Sequence, residues 1–193
     1  MDIAIITPNH GNNVNNFPWG ALSIGSYLSN VKKHSVRILD ASYYSTDDFY
    51  DELKKYCSSA KIVGFSFMSP DIYEVKKMID YVKKINNKCK IIVGGPHSNL
   101  APEQTCKYKN IDFVSFSNGE RPFSLLIDKI KSGNQNYDDV PGLIYKDGGD
   151  IKRTPSPKPV PFYDIDYKLL PKSAQKTLSQ YMQVITGRGC SFK

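Results

Sequence analysis

Two hydrophobic periods take turns along this chain, and where they change predicts its elements. Residues 3–7 are apolar almost without interruption, the pattern of a short strand covered on both faces. Residues 19–31 follow at helical spacing, with Leu22, Ile24, Tyr27, Leu28 and Val31 inward. The first turns of that helix hold Gly20, Ala21, Ser23, Gly25 and Ser26. So many small residues weaken intrinsic helicity and suit close packing on a sheet or a flat ligand. Residues 35–40 read as a second strand. Residues 46–58 read as a helix capped by Thr46, with Asp47 and Asp48 near its positive end. Residues 61–67 form a third strand, after which Ser69 and Pro70 open a helix with Ile72, Val75, Ile79, Val82 and Ile85 on one side. Ile91-Ile92-Val93 is a fourth buried strand that stops abruptly at Gly94-Gly95-Pro96-His97. A short helix over 101–108, a fifth strand over 111–116 and a helix over 121–131 complete the series.

Strand and helix thus alternate five times. Parallel strands with right-handed crossovers are the simplest topology for that order. The expected fold is α/β: a Rossmann-like, flavodoxin-like five-stranded parallel sheet in the order 2-1-3-4-5, with helices on both faces. Past Gly133 the pattern breaks. Residues 140–145 and 151–153 flank Asp147-Gly148-Gly149, a hairpin signal. Residues 154–161 carry four prolines in eight positions and read as an extended linker. Residues 164–170 can form a turn of helix, and 181–186 begin a new strand. The expected division is a Rossmann-like domain over 1–133, a hairpin and linker over 134–180, and the start of a further unit over 181–193.

Composition narrows the class. Of 193 residues, 26 are Lys or Arg against 19 Asp or Glu, a net charge of +7. The lysines fall as scattered doublets near helix ends, a solvated surface, and no nucleic-acid motif accompanies them. No apolar run is long enough to span a membrane. The amino terminus opens directly into a strand pattern with no basic leader, so a cytoplasmic protein is expected. The four cysteines form no CxxC; Cys57, Cys89 and Cys106 read as buried small residues.

In open α/β sheets ligands sit beyond the carboxyl ends of the strands. Those ends offer Asn9, His10 and Gly11; Ser66, Met68 and Ser69; Gly94, Gly95, Pro96 and His97; and Ser117, Asn118, Gly119 and Glu120. Small hydrogen-bonding residues of this kind hold a large ligand through backbone and hydroxyls, and no nucleophile–base pair stands among them, so no catalytic residue is assigned. The acids of a phosphate-accepting receiver are missing, Thr7, Pro8 and Ser66 standing in their places. The loop of residues 8–18 is Asn-rich rather than the Ser/Thr-rich phosphate loop of a flavodoxin, and neither GxGxxG nor GxxxxGK[ST] occurs. His10 and His97 read either as metal ligands or as ordinary loop histidines. Glu120 suits a ligand hydroxyl and equally a helix start. Phe17 and Trp19 suit the core and equally a lid over the edge.

Gly94-Gly95-Pro96-His97, the strand Val63-Gly64-Phe65-Ser66 with Ser69, and Asn118-Gly119-Glu120 before Phe123 together resemble the amino-terminal half of cobalamin-dependent radical S-adenosylmethionine enzymes. Pro141-Gly142-Leu143-Ile144 is similar to that family's piece between domains. The resemblance implies a domain that binds cobalamin across the carboxyl edge, with Ser66, Ser69, Gly94 and Gly95 along the nucleotide tail or corrin edge and Asn118-Gly119-Glu120 at the corrin rim. Where many such domains carry DxHxxG, this chain has Asn9-His10-Gly11-Asn12-Asn13, without the acid that orients the histidine. Thr186-Gly187-Arg188-Gly189-Cys190 is similar to the start of the radical motif CxxxCxxC, whose three thiolates hold a [4Fe–4S] cluster with S-adenosylmethionine on the open iron. Cys190 is then the first ligand of an incomplete motif, and one thiolate cannot hold the cluster. The resemblance thus implies a chain truncated within a radical barrel, its missing partner, and not catalytic alone. The other reading is a Rossmann-like structural or interaction domain that has lost corrin binding.

Overall fold

The computed structural model describes residues 2–9, 17–172 and 174–175. The residues of the expected strand 181–186, Cys190 and His10 lie outside the described residues. Strands β1 (Asp2–Thr7), β2 (Ser35–Asp40), β3 (Ile62–Ser66), β4 (Lys90–Gly94) and β5 (Phe113–Ser115) pair in parallel in the order β2-β1-β3-β4-β5. This is the expected arrangement.

The hairpin does more than follow the sheet. β6 (Leu143–Asp147) pairs antiparallel with β5, and β7 (Asp150–Arg153) pairs antiparallel with β6, so one sheet runs through seven strands. Three-residue β5 would otherwise leave an open edge, which invites pairing with other chains. Leu143, Ile144 and Tyr145 bury their side chains in covering it. Gly148 and Gly149 take φ of 58° and 101°, the left-handed pair that a two-residue hairpin turn needs.

Helices α2 (Thr46–Cys57), α3 (Ile72–Ile85) and the short α5 (Pro102–Cys106) cover one face; α1 (Trp19–Ser26) and α6 (Glu120–Ser132) cover the other. A fifth-strand neighbour, the short α4 (Pro96–Leu100), follows β4 directly. Two expected details change. The N-cap of α2 is Ser45 rather than Thr46: the Asp48 N–H donates to Ser45 Oγ at 3.3 Å. The helix predicted over 19–31 is α-helical only to Ser26 and continues as a wider π-helical turn over Tyr27–Val31.

The period of two along each strand sorts side chains between the faces. Ala4, Ile6, Val63, Phe65, Ile91 and Val93 join Leu53 of α2 and Val75 and Ile79 of α3. Ile3, Ile5, Ile62, Ile92 and Phe113 join Leu22 of α1 and Phe123 and Leu126 of α6. At the amino edge the sheet is tied shut. Asn86 Nδ2 donates to the carbonyls of Cys57 and Ala60, both at 2.8 Å, and its Oδ1 accepts from the Cys89 N–H. Asp112 accepts from Lys83 Nζ at 2.9 Å and from the Ile91 N–H at 2.8 Å. Cys57, Cys89 and Cys106 are free and buried, and burial pushes the Cys57 thiol up to about 12. Among the described residues no helix is long and apolar enough to cross a membrane.

Candidate cofactor site

The carboxyl edge is built differently. On the α1/α6 face the strands end in small residues: Gly64 and Ser66 on β3, Gly94 on β4 and Ser115 on β5. Ser66 stands opposite Gly94 in the parallel register, and Gly64 opposite Ile92. The missing side chains leave a cavity of about 360 Å³ between the sheet and the facing sides of α1 and α6. Its floor is Gly64, where a Cβ would stand 3.1 Å from the Phe123 ring. Trp19, Gly20, Ser23 and Ile24 of α1 form one wall, and Ser117, Asn118, Gly119 and Glu120 form another.

The edge is held open by backbone. Gly95 has φ of 92°, and a Cβ there would lie 2.7 Å from the Phe67 nitrogen and 2.8 Å from its oxygen. Only glycine permits that approach. It lets the Phe67 N–H donate to the Gly94 carbonyl and the His97 N–H to the Phe67 carbonyl, both at 3.3 Å. Ser117 also takes a left-handed φ, 65°, which is uncommon for a residue with a side chain. Its N–H donates to Asn99 Oδ1 at 2.6 Å, and that bond holds the turn before Asn118 and Gly119.

The polar groups are few and placed at the rim. Ser115 lines the cavity, and its Oγ is buried without a hydrogen-bond partner within the protein. Glu120 is only 4% exposed. Its Oε1 lies 3.0 Å from Ser23 Oγ and 2.9 Å from the Tyr163 hydroxyl, both positioned to donate. His97 stacks on Phe67, with Nδ1 3.0 Å from Ser69 Oγ. Burial, then the charge of Lys76, lowers its pKa, so the neutral ring is favoured.

The structure therefore brings together Ser66, Gly94, Gly95, Asn118, Gly119 and Glu120 around one cavity. Met68, Ser69, Pro96, His97 and Asn9 do not line it. Among the described residues no cluster of His, Cys, Asp and Glu could hold a metal ion. Sequence reasoning missed Ser115, the last residue of β5 after Phe113 and Val114, and Asn99 and Tyr163, whose partners are distant in sequence. The period-two alternation could have found Ser115, since it puts that residue on the same face as Phe113.

A family model described as "B12 binding domain" matches residues 14–127, more than half of the chain. The chain belongs to the B12-binding domain family. A curated relative, the "Uncharacterized methyltransferase PH0819" of Pyrococcus horikoshii, is 30% identical over 179 residues, covering 86% of this chain and 38% of that protein. Among solved structures, the radical S-adenosylmethionine methyltransferase TsrM from Kitasatospora setae, with cobalamin and a [4Fe–4S] cluster bound, is 18% identical with a TM-score of 0.68, covering 85% of this chain and 30% of that one. The cobalamin-dependent S-adenosylmethionine radical enzyme OxsB, with aqua-cobalamin and S-adenosylmethionine bound, is 21% identical with a TM-score of 0.66, covering 81% and 22%. The chain thus spans well under half the length of each of these proteins.

The B12-binding domain has a cavity that fits part of its cofactor. An apolar slot of this volume, with one orphan hydroxyl and glycine at its floor, suits a flat heteroaromatic base with a ribose at the rim. It is too small for the macrocycle as well.

Proposed function

We propose that this B12-binding domain serves as the cobalamin-holding module of a radical S-adenosylmethionine enzyme, with methyl transfer or related radical chemistry as the reaction of the whole protein. The observation that carries it is the cavity floored by Gly64 and rimmed by Ser66, Gly94 and Ser115, at the sheet edge where ligands of this architecture bind. Ser66, Gly94, Gly95 and Ser115 would hold the nucleotide tail, and Asn118, Gly119 and Glu120 the rim of the corrin. Asn9, Met68, Ser69, Pro96 and His97 lie beyond the cavity lining and belong, in this reading, to the surface the macrocycle covers. Bound cobalamin would supply a cobalt centre able to carry a methyl group or exchange electrons. The chain's share is to bind, orient and shield it.

The partner in this reading is a radical barrel, supported by the additional length of the relatives and by the likeness of residues 186–190 to the start of a cluster-binding motif. Cys190 would give one of three thiolates to the [4Fe–4S] cluster, with S-adenosylmethionine as the second cofactor. Two further cysteines at that spacing in the full-length protein are the corresponding expectation. A cytoplasmic location fits Cys57, Cys89 and Cys106 buried as small core residues.

Titrating the chain with hydroxocobalamin tests the module. The expected outcome is a saturable change in the visible spectrum and co-elution of the corrinoid with protein on gel filtration. An unchanged spectrum with complete separation of the two would overturn it.

A further inference from the structure

The proline-rich segment after β7 is extended, as its composition predicts, but it is strapped to the domain. The Gly142 N–H donates to the Pro155 carbonyl at 2.7 Å. Further on, Asn30 Nδ2 donates to the Asp164 carbonyl at 3.1 Å, and the Asp166 N–H to Ser26 Oγ at 2.9 Å. The Tyr163 ring packs 5.3 Å from Tyr27, in the π-helical turn that continues α1. Tyr167 packs on Trp19 at 6.4 Å between ring centres. Residues 163–170 therefore dock along the same helix that walls the cavity, meeting two of its lining residues, Trp19 and Ser23.

One side chain of that segment reaches the cavity wall itself. The Tyr163 hydroxyl lies 2.9 Å from Glu120 Oε1, 2.9 Å from the Ser23 carbonyl and 2.7 Å from Ser23 Oγ. The two hydroxyls carry one proton each, so two donations are shared among Glu120 Oε1, the Ser23 carbonyl and the hydroxyl pair itself. Ser23 and Glu120 line the cavity from α1 and α6, and Tyr163 stands behind them without lining it. It buttresses the wall and does not plug the opening.

We propose that Tyr163 is a positioning residue of the cobalamin site: by bonding to both members of the direct Ser23–Glu120 pair it reinforces the spacing of α1 and α6 across the cavity, and so couples occupancy of the cavity to docking of the 163–170 segment. This rests on the cobalamin reading above. The coupling is reciprocal, because whatever a docked segment adds to cofactor affinity the cofactor returns to docking. The sign is positive, since the buttress acts from outside the ligand space. The 163–170 segment, which packs Ile165, Tyr167, Leu169 and Leu170 on the core of this face, thereby senses whether the cofactor is in place.

The test uses the 193-residue chain, its Tyr163→Phe variant, and Phe162→Ala as a control at the neighbouring side chain, which is 75% exposed. Hydroxocobalamin titration and hydrogen exchange of the 163–170 peptide, each with and without the corrinoid, are the readouts. The expected result is a dissociation constant about five- to tenfold higher in Tyr163→Phe. Alongside it, hydroxocobalamin protects the 163–170 amides in the parent chain and in Phe162→Ala but not in Tyr163→Phe. A purely structural tyrosine would lower the thermal midpoint yet leave the dissociation constant unchanged and the segment indifferent to ligand; that result overturns the coupling while leaving the cobalamin reading intact. Absence of binding by the parent chain itself overturns the cobalamin reading and the coupling with it.

Discussion

The two faces of this sheet share the same strands and differ in what they do. On the α2/α3 side, Val63, Phe65, Ile91 and Val93 meet Leu53, Val75 and Ile79 with every one of these positions filled. On the α1/α6 side the same strands alternate to Gly64, Ser66, Gly94 and Ser115, and a cavity opens. Nothing in the backbone pairing separates the two faces, because each strand feeds both. The difference lies in side-chain volume at every second residue of three neighbouring strand ends. A binding slot is made here by leaving out side chains on one face while the other carries the packing that keeps the slot from collapsing.

That contrast can be broken from either side. The largest effect is expected on the filled face. Ile79→Ala removes a fully buried side chain far from the cavity and should cost about 2–5 kcal/mol in urea unfolding, with hydroxocobalamin affinity retained in the folded fraction. Equal losses of affinity and stability would mean that the faces are not separable. Next is the open face. A Cβ at Gly94 meets nothing nearer than 3.8 Å, so Gly94→Leu can enter the cavity without forcing the sheet apart. Its stability should stay within about 1 kcal/mol of the parent while corrinoid binding weakens by about a hundredfold or more. Unimpaired binding in Gly94→Leu places the ligand elsewhere.

The smallest effect concerns His97, beyond the cavity lining. Burial and Lys76 hold the His97 pKa below its ordinary value of 6.5. The unfolded chain therefore takes up that proton first as pH falls. Stability present above 6.5 is lost on acidification through the unfolded value and down through the lowered folded one. His34, lowered by burial and then by Lys131, acts in the same direction. His97→Asn should flatten part of the acid limb of thermal stability, a change of less than about 2 °C. An undiminished acid limb would assign the whole dependence to other groups.

Most of the scaffold was legible from local pattern. Runs such as residues 3–7 and 91–93 have no polar face, so only a two-sided sheet can bury them, and their alternation with helices restricts the strand order. Asp147-Gly148-Gly149 announces a tight hairpin because only glycine takes two successive left-handed conformations cheaply. That the hairpin closes the open edge of β5 is a matter of tertiary pairing, invisible to a pattern within 143–153. Of the site, the double glycine was readable at once, and its backbone contact with Phe67 explains why. His97 adjoins it in sequence but turns to Phe67 and Ser69 instead.

The sequence by itself determined the alternating elements, the parallel order, and the edge where small residues gather, because these follow from periodicity and from what glycine alone permits. Tertiary structure decided which of those edge residues share a cavity, that Ser115 is an orphan hydroxyl within it, and that Tyr163 stands behind its wall from 140 residues away in the chain. Such facts depend on which helix sides face each other across the sheet, and no local pattern records a distance between segments so far apart.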